Sequence, residues 1–174
     1  MDLYRLPGGG TVADIGGASG ELLAKLLAKE PQRQGIVFDL PNIVAEAEAT
    51  LRAAGLSERA TVVAGDFFEA VPAADVYVMS AVLHDWDDVS AVRILRNVAE
   101  AARPGARLVL LEGVMPDGDE PHPMKMMDLT MMAMVGGRER TDAEWRRLLA
   151  EGGFVLDRVI PGSSVFSLIE ATLG

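Results

Sequence analysis

Residues 11–30, TVADIGGASGELLAKLLAKE, decide the fold. The first six are a short apolar run with an acid at position 14, a length and composition that suit a buried strand. The last twelve place Leu22, Leu23, Leu26 and Leu27 on one side of a helical period, as an amphipathic helix requires. Between the two, Gly16, Gly17 and Gly20 make a tight strand-to-helix turn. Strand, glycine turn and helix form the first half of a βαβ unit, so the sheet they enter is expected to be parallel.

Working outward, the same alternation recurs. GIVFDL (35–40), ATVVAGD (60–66), DVYVMS (75–80) and ARLVLLEGV (106–114) read as further strands. Asn42 is placed to cap a helix carrying Ile43, Ala47 and Leu51, with Gly55 just past its end. Asp88 is placed to open a helix carrying Val92, Leu95 and Val98, which RPG (103–105) stops. A polar loop, MPDGDEPHP (115–123), leads into a methionine-dense helix from about 124 to 135. Thr141 and Glu144 have capping-box spacing ahead of another helix that ends near Gly152. FVLDRVI (154–160) and VFSLIEA (165–171) flank the turn PGSS (161–164), too short for a crossover helix, so they should pair antiparallel. Five β-then-α units predict an α/β fold, a doubly wound Rossmann-like, mostly parallel seven-stranded sheet with an antiparallel C-terminal hairpin. No linker or repeat interrupts it, and residues 1–174 are expected to form a single domain.

Composition narrows the chemistry. The formal charge is −10, from 16 basic and 26 acidic residues, and no basic stripe runs along the chain. Such a surface repels phosphate backbones and anionic lipid, so neither nucleic acid nor a membrane is an expected partner. With no cysteine, disulfides, thiolate metal sites and thiol nucleophiles are excluded, and no metal site is expected. Neither a signal peptide nor an apolar run of spanning length is evident, which points to a cytoplasmic protein.

Acids stand where the strands end. Asp14 closes the first, Asp39 the second about twenty residues after the glycine loop, and Asp66 the third. Each alone is equally explained as a cap or a solvated turn. Together they lie at the carboxyl edge, where open α/β sheets bind ligands, and an acid at position 39 can take ribose hydroxyls through two hydrogen bonds. A dinucleotide fingerprint would need glycine at 15, 17 and 20, but position 15 is isoleucine. Asp14 would also repel a pyrophosphate. The pattern therefore suits a nucleoside of positive charge, with Asp66 accepting from an adenine amino group and Phe67 against the ring.

These motifs carry a resemblance. VADIGGASG, FDLP, GDFF, LHDWDD, PGARLVLLEGVMP and GGRERTDAEW…GGF resemble, in order and spacing, the S-adenosylmethionine-dependent small-molecule O-methyltransferases. These include plant caffeate and flavonoid enzymes and bacterial polyketide-tailoring enzymes. The resemblance spans nearly the whole chain. It implies that Asp14, Gly16, Gly17, Gly20, Asp39, Leu40, Asp66, Phe67 and Ser80 line the site for S-adenosyl-L-methionine and its product S-adenosyl-L-homocysteine. It implies that His84 is the general base, flanked by Glu112 and Glu139, with Asp85 beside the substrate. Two departures are visible. Many plant members carry lysine where this chain has Ser80. Members usually also carry a helical dimerisation domain ahead of this one, and here the chain begins about a dozen residues before the glycine loop, so the expectation is a domain either trimmed away or absent. Full-length relatives are expected to be homodimers.

A phenol of pKa about 10 is mostly protonated at neutral pH, so a histidine of ordinary pKa about 6.5 suits the removal of its proton during attack. A carboxylate should orient that ring. Glu112, at the end of the neighbouring strand, is expected to do so, and Glu139 to assist. His122, in the polar loop, reads as solvated, and Asp85, Asp87 and Asp88 as caps or surface. Trp86 reads either as a neighbour of the adenine or as core. Met124, Met127 and Met131 read either as helix core or as the adaptable apolar wall of a pocket for a small hydroxylated aromatic substrate. Part of that helix should be exposed and favour self-association. Two other functions fit the same residues: a cofactor-dependent hydroxylation or decarboxylation, and a non-catalytic cofactor-binding module.

Overall fold

The computed structural model describes residues 4–162 and 165–174. Its elements run β1 (Thr11–Ile15), α1 (Glu21–Ala28), β2 (Gln34–Asp39), α2 (Ala47–Ala53), β3 (Ala60–Ala64), β4 (Val76–Ser80), α3 (Asp88–Ala101), β5 (Arg107–Met115), α4 (Pro123–Met134), β6 (Arg140–Thr141), α5 (Asp142–Glu151), β7 (Phe154–Pro161) and β8 (Phe166–Leu173). The sheet order is β3-β2-β1-β4-β5-β8-β7. From β1 to β5 every pairing is parallel, while β8 enters antiparallel between β5 and β7. The expected C-terminal hairpin is therefore present; of its turn, positions 163 and 164 lie outside the described residues.

Alternation along the central strands builds two cores. In β4, Val76 and Val78 face one side and Tyr77 and Met79 the other, as successive strand side chains must. The first side packs Leu23 and Leu27 of α1 with Leu51 of α2, and the second packs Ile94 and Leu95 of α3 with Trp145, Leu148 and Leu149 of α5. Helices cover both faces, so the parallel strands are nearly all apolar.

Local chemistry departs from expectation in three places. Asn42 caps nothing: the amides of Ile43 and Val44 already bond the carbonyl of Leu40, so α2 starts only after a 3₁₀ turn over Val44–Glu46. Asp87, not Asp88, caps α3 by accepting from the Ser90 amide, which leaves Asp88 as the first helical residue. No helix follows β3, and the chain crosses to β4 through a turn and extended loop. The capping box on α5 forms as its spacing requires. His122 is exposed, as expected, but its Nδ1 accepts from the Met124 amide and caps α4. The two-residue β6, which pairs with the far end of β5, was not legible beforehand.

The switch of strand order between β1 and β4 opens a crevice at the carboxyl edge, the place where ligands bind in such sheets. Among the described residues, no helix is long and apolar enough to cross a membrane.

Candidate active site

The glycine loop forms one wall of the crevice. Gly16 and Gly17 both donate to the carbonyl of Phe38, tying the loop to β2. Gly16 has a left-handed backbone, and a Cβ there would lie 2.7 Å from Val82 Cγ2, so only glycine lets the loops after β1 and β4 touch. Asp39 ends β2 beneath them, its Oδ2 accepting from the Ala18 amide and its Oδ1 from that of Leu40. Each carboxylate oxygen keeps a second acceptor site, and Asp39 is only half-buried. Asp66 accepts from the Phe68 amide. Phe67 joins Phe68 and Trp86 in a cluster of edge-to-face rings with centroids 4.7 to 6.0 Å apart.

Asp14 sits elsewhere than the crevice surface. It is 1% exposed, under Gly17, where a Cβ would stand 2.9 Å from its Cγ. Burial pushes its carboxyl up to about 7, the Leu23 amide pulls it back, and Asp39 adds to the rise. Its Oδ2 has no hydrogen-bond partner. Asp14 thus supports the loop and the first turn of α1 from below.

On the β4 side the chain leaves the strand through Ser80 and Ala81, the latter left-handed at φ 52°. Ala18, in the glycine loop, is the other non-glycine residue with positive φ among the described residues, so the strained backbone falls on the two loops that bound the crevice. A 3₁₀ turn over Leu83–Asp85 follows and presents His84, 7% exposed. Glu139, wholly buried, stands with Oε1 2.9 Å from His84 Nδ1, and Asp85 Oδ1 is 3.4 Å from Nε2. The Glu139 hydrogen bond is the main cause that raises the His84 pKa, against burial, with Glu112, Glu139 and Asp85 adding their charge.

Glu112 does something different from what its position in sequence suggested. Its Oε1 accepts from the amides of Val82 and Leu83, at 3.0 and 2.8 Å, so it holds the turn rather than the ring. It is wholly buried, burial pushes it up to about 7, and its Oε2 is unpartnered. Glu139, 55 positions from the histidine, makes the contact that the neighbouring strand was expected to make.

Of the methionines, Met124 is fully buried against Gly113, where a Cβ would come within 2.0 Å of its Cε, so it is floor rather than open wall. Met127 and Met131 are half-buried. Asp128 of α4 accepts from the Glu139 amide and helps place that carboxylate.

Two residues with a part in this site escaped the sequence. Gly137 lies so close to the histidine turn that a Cβ would stand 2.1 Å from the carbonyl oxygen of His84. Its only sequence signal was a second glycine in GGRERT. Arg140 is wholly buried and bonds the carbonyls of Leu83 and Trp86. Gly137→Ala is expected to cost about 2 kcal/mol, because backbone faces backbone and neither yields. In a chain of this size that lowers the melting temperature by roughly 4–8 °C. Differential scanning calorimetry checks it; an unchanged melt would mean that the 136–139 loop shifts freely.

The donor set fits a cationic nucleoside. Acids with spare acceptor capacity edge the crevice, the loop glycines let its backbone turn tightly against Val82 and Asp14, and residues 14–20, 39–40, 65–68 and 80–86 contain no lysine or arginine to meet a pyrophosphate.

Known proteins resemble this chain in sequence and fold. The chain is 42% identical over 172 residues to a phenazine O-methyltransferase of Lysobacter antibioticus, covering 98% of this chain and 50% of that protein. It is 46% identical to the O-demethylpuromycin-O-methyltransferase of Streptomyces alboniger, covering 97% of this chain and 46% of the relative. The chain therefore spans about half the length of these curated relatives. The crystal structure of NcsB1, an O-methyltransferase from neocarzinostatin biosynthesis, in complex with S-adenosylmethionine and 2-hydroxy-5-methyl naphthoic acid, superposes with a TM-score of 0.85 at 43% identity, over 95% of this chain and 49% of that one. The family model for the O-methyltransferase domain matches residues 1–155, and the chain belongs to that family.

Proposed function

We propose that this domain binds S-adenosylmethionine at the carboxyl edge of β1, β2 and β3 and methylates a hydroxyl of a small aromatic metabolite in the cytoplasm, with His84 as general base. The observation that carries this is the buried His84–Glu139 pair beside the acid-edged crevice. The glycine loop would hold the cofactor, Asp39 its ribose, and Asp66 with Phe67 its base. When bound, the cofactor supplies a methyl group on a sulfonium and leaves as the thioether.

The protein's own part is to position the acceptor and to take its proton. Glu139 accepts at Nδ1, which fixes the proton there and leaves the Nε2 lone pair for the substrate hydroxyl. As the proton arrives, Glu139 and Asp85 stabilise the imidazolium. Burial of the pair keeps water from competing for the same proton. Calorimetry with S-adenosylhomocysteine tests the cofactor, and incubation of hydroxylated aromatics with methyl-labelled cofactor tests the transfer. A wild-type chain that binds no S-adenosylhomocysteine sinks the assignment.

One observation also supports self-association. Met126, Leu129 and Met132 recur every three residues along α4 and are 60–68% exposed, with Met134 and Val135 extending the patch. A second copy of this chain is the proposed occupant, since burying three such side chains contributes several kcal/mol. Sedimentation at about 50 µM is expected to show a species heavier than the monomer, and Met126→Lys with Met132→Lys to return it to monomer. A clean wild-type monomer that binds no apolar dye would count against it.

A further inference from the structure

The five residues that carry the histidine, 82–86, are held at both ends by opposite charges. Their leading amides, of Val82 and Leu83, point at Glu112. Their trailing carbonyls point the other way, at one guanidinium. Arg140 donates from Nη1 to the Leu83 carbonyl at 2.9 Å and from Nη2 to the Trp86 carbonyl at 2.8 Å. Its Nε donates to Asp88 Oδ1 at 3.0 Å, and its plane lies over the Trp145 ring at 5.3 Å. The His84 carbonyl between these two accepts from the Arg138 amide at 2.9 Å.

Glu139 and Arg140 are consecutive. At the entry to β6, one short segment therefore reaches the imidazole with its carboxylate and the supporting turn with its guanidinium. We propose that Arg140 is a positioning residue for the base, spanning the carbonyls of Leu83 and Trp86 so that His84 Nδ1 is aimed at Glu139. It acts through the turn, with none of its hydrogen bonds made to the ring. A lysine ammonium cannot replace it, because one point charge has no fork to reach two carbonyls and a carboxylate together. The inference rests on His84 being the base proposed above, but its geometric core is readable without turnover.

The test is an NMR titration of the His84 ring, made in a His122→Asn background so that one histidine signal remains. The groups facing that ring are Glu139, Asp85 and Glu112, with the Phe166 ring edge-on at 6.5 Å. In Arg140→Lys, far-UV circular dichroism and S-adenosylhomocysteine affinity are expected to stay within about twofold of wild type. The His84 pKa is expected to fall back toward about 6.5, because the Glu139 hydrogen bond weakens. The rate constant for methyl transfer should drop by about 100-fold at similar KM, the usual result of misplacing a reacting group by an ångström. An Arg140→Lys protein whose His84 titrates like wild type overturns the proposal, whatever its melting temperature. Should that variant not fold, Asp88→Asn, which removes the carboxylate that holds the guanidinium against the two carbonyls, must lower the His84 pKa in the same direction; an unchanged titration there overturns it too. If wild type transfers no methyl group, the base assignment fails, and the titration still decides the role of Arg140.

Discussion

His84→Ala is expected to lower methyl transfer by about 10²–10⁴-fold while leaving S-adenosylhomocysteine affinity within about twofold. The separation follows from geometry. The ring is hydrogen-bonded to Glu139 and stands 3.4 Å from Asp85, and among the described residues no bond ties it to the glycine loop, Asp39 or Asp66, so its loss leaves the proposed cofactor contacts in place. Its pH dependence has a definite sign. Glu139 raises the His84 pKa, and a general base must be unprotonated, so kcat/KM should climb with pH through a value above 6.5. Glu139→Gln removes the largest raising cause and should move that rising limb to lower pH, at a reduced plateau. A pH–rate profile and isothermal calorimetry on the same variants check both halves. Equal rates for His84→Ala and wild type would leave the histidine no part beyond packing.

Asp39→Ala is the second large effect, and it should appear in binding. Loss of the two charge-assisted hydrogen bonds proposed to the ribose hydroxyls, each about 1.5 kcal/mol, corresponds to roughly 100-fold weaker S-adenosylhomocysteine binding. The same change releases the Ala18 and Leu40 amides, loosening the glycine loop from the end of β2. Asp39→Asn keeps one acceptor oxygen and should fall between alanine and wild type. Titration calorimetry reads the dissociation constants directly. Unchanged affinity in the alanine variant would place the ribose elsewhere and remove the main support for the crevice as a nucleoside site.

Much of the scaffold was legible because its causes are local. Strand period, helix period, the glycine turn and the capping box at Thr141 depend on residues within a few positions of each other, and all of them form in the folded chain. Antiparallel closure by β7 and β8 followed from the short turn between them. Where local chemistry failed, a competing local partner was the cause. Asn42 found the amides beside it already bonded to Leu40, and Asp87 took the cap that Asp88 was expected to fill.

The site divides along the same line. Sequence by itself placed His84 at the end of β4, Asp39 at the end of β2 and Asp66 just past β3, because topology brings successive strand ends to one edge whatever the side chains do. Which carboxylate serves the histidine was settled only by the tertiary structure. Glu112 is nearer in strand order, yet its oxygen is taken by two amides, while Glu139 arrives through a loop that only a glycine at 137 can press against the His84 carbonyl. Arg140 and the buried setting of Asp14 have the same origin. A hydrogen bond is made by whichever group reaches the atom at about 3 Å in the folded chain, and no periodicity in the sequence records that distance.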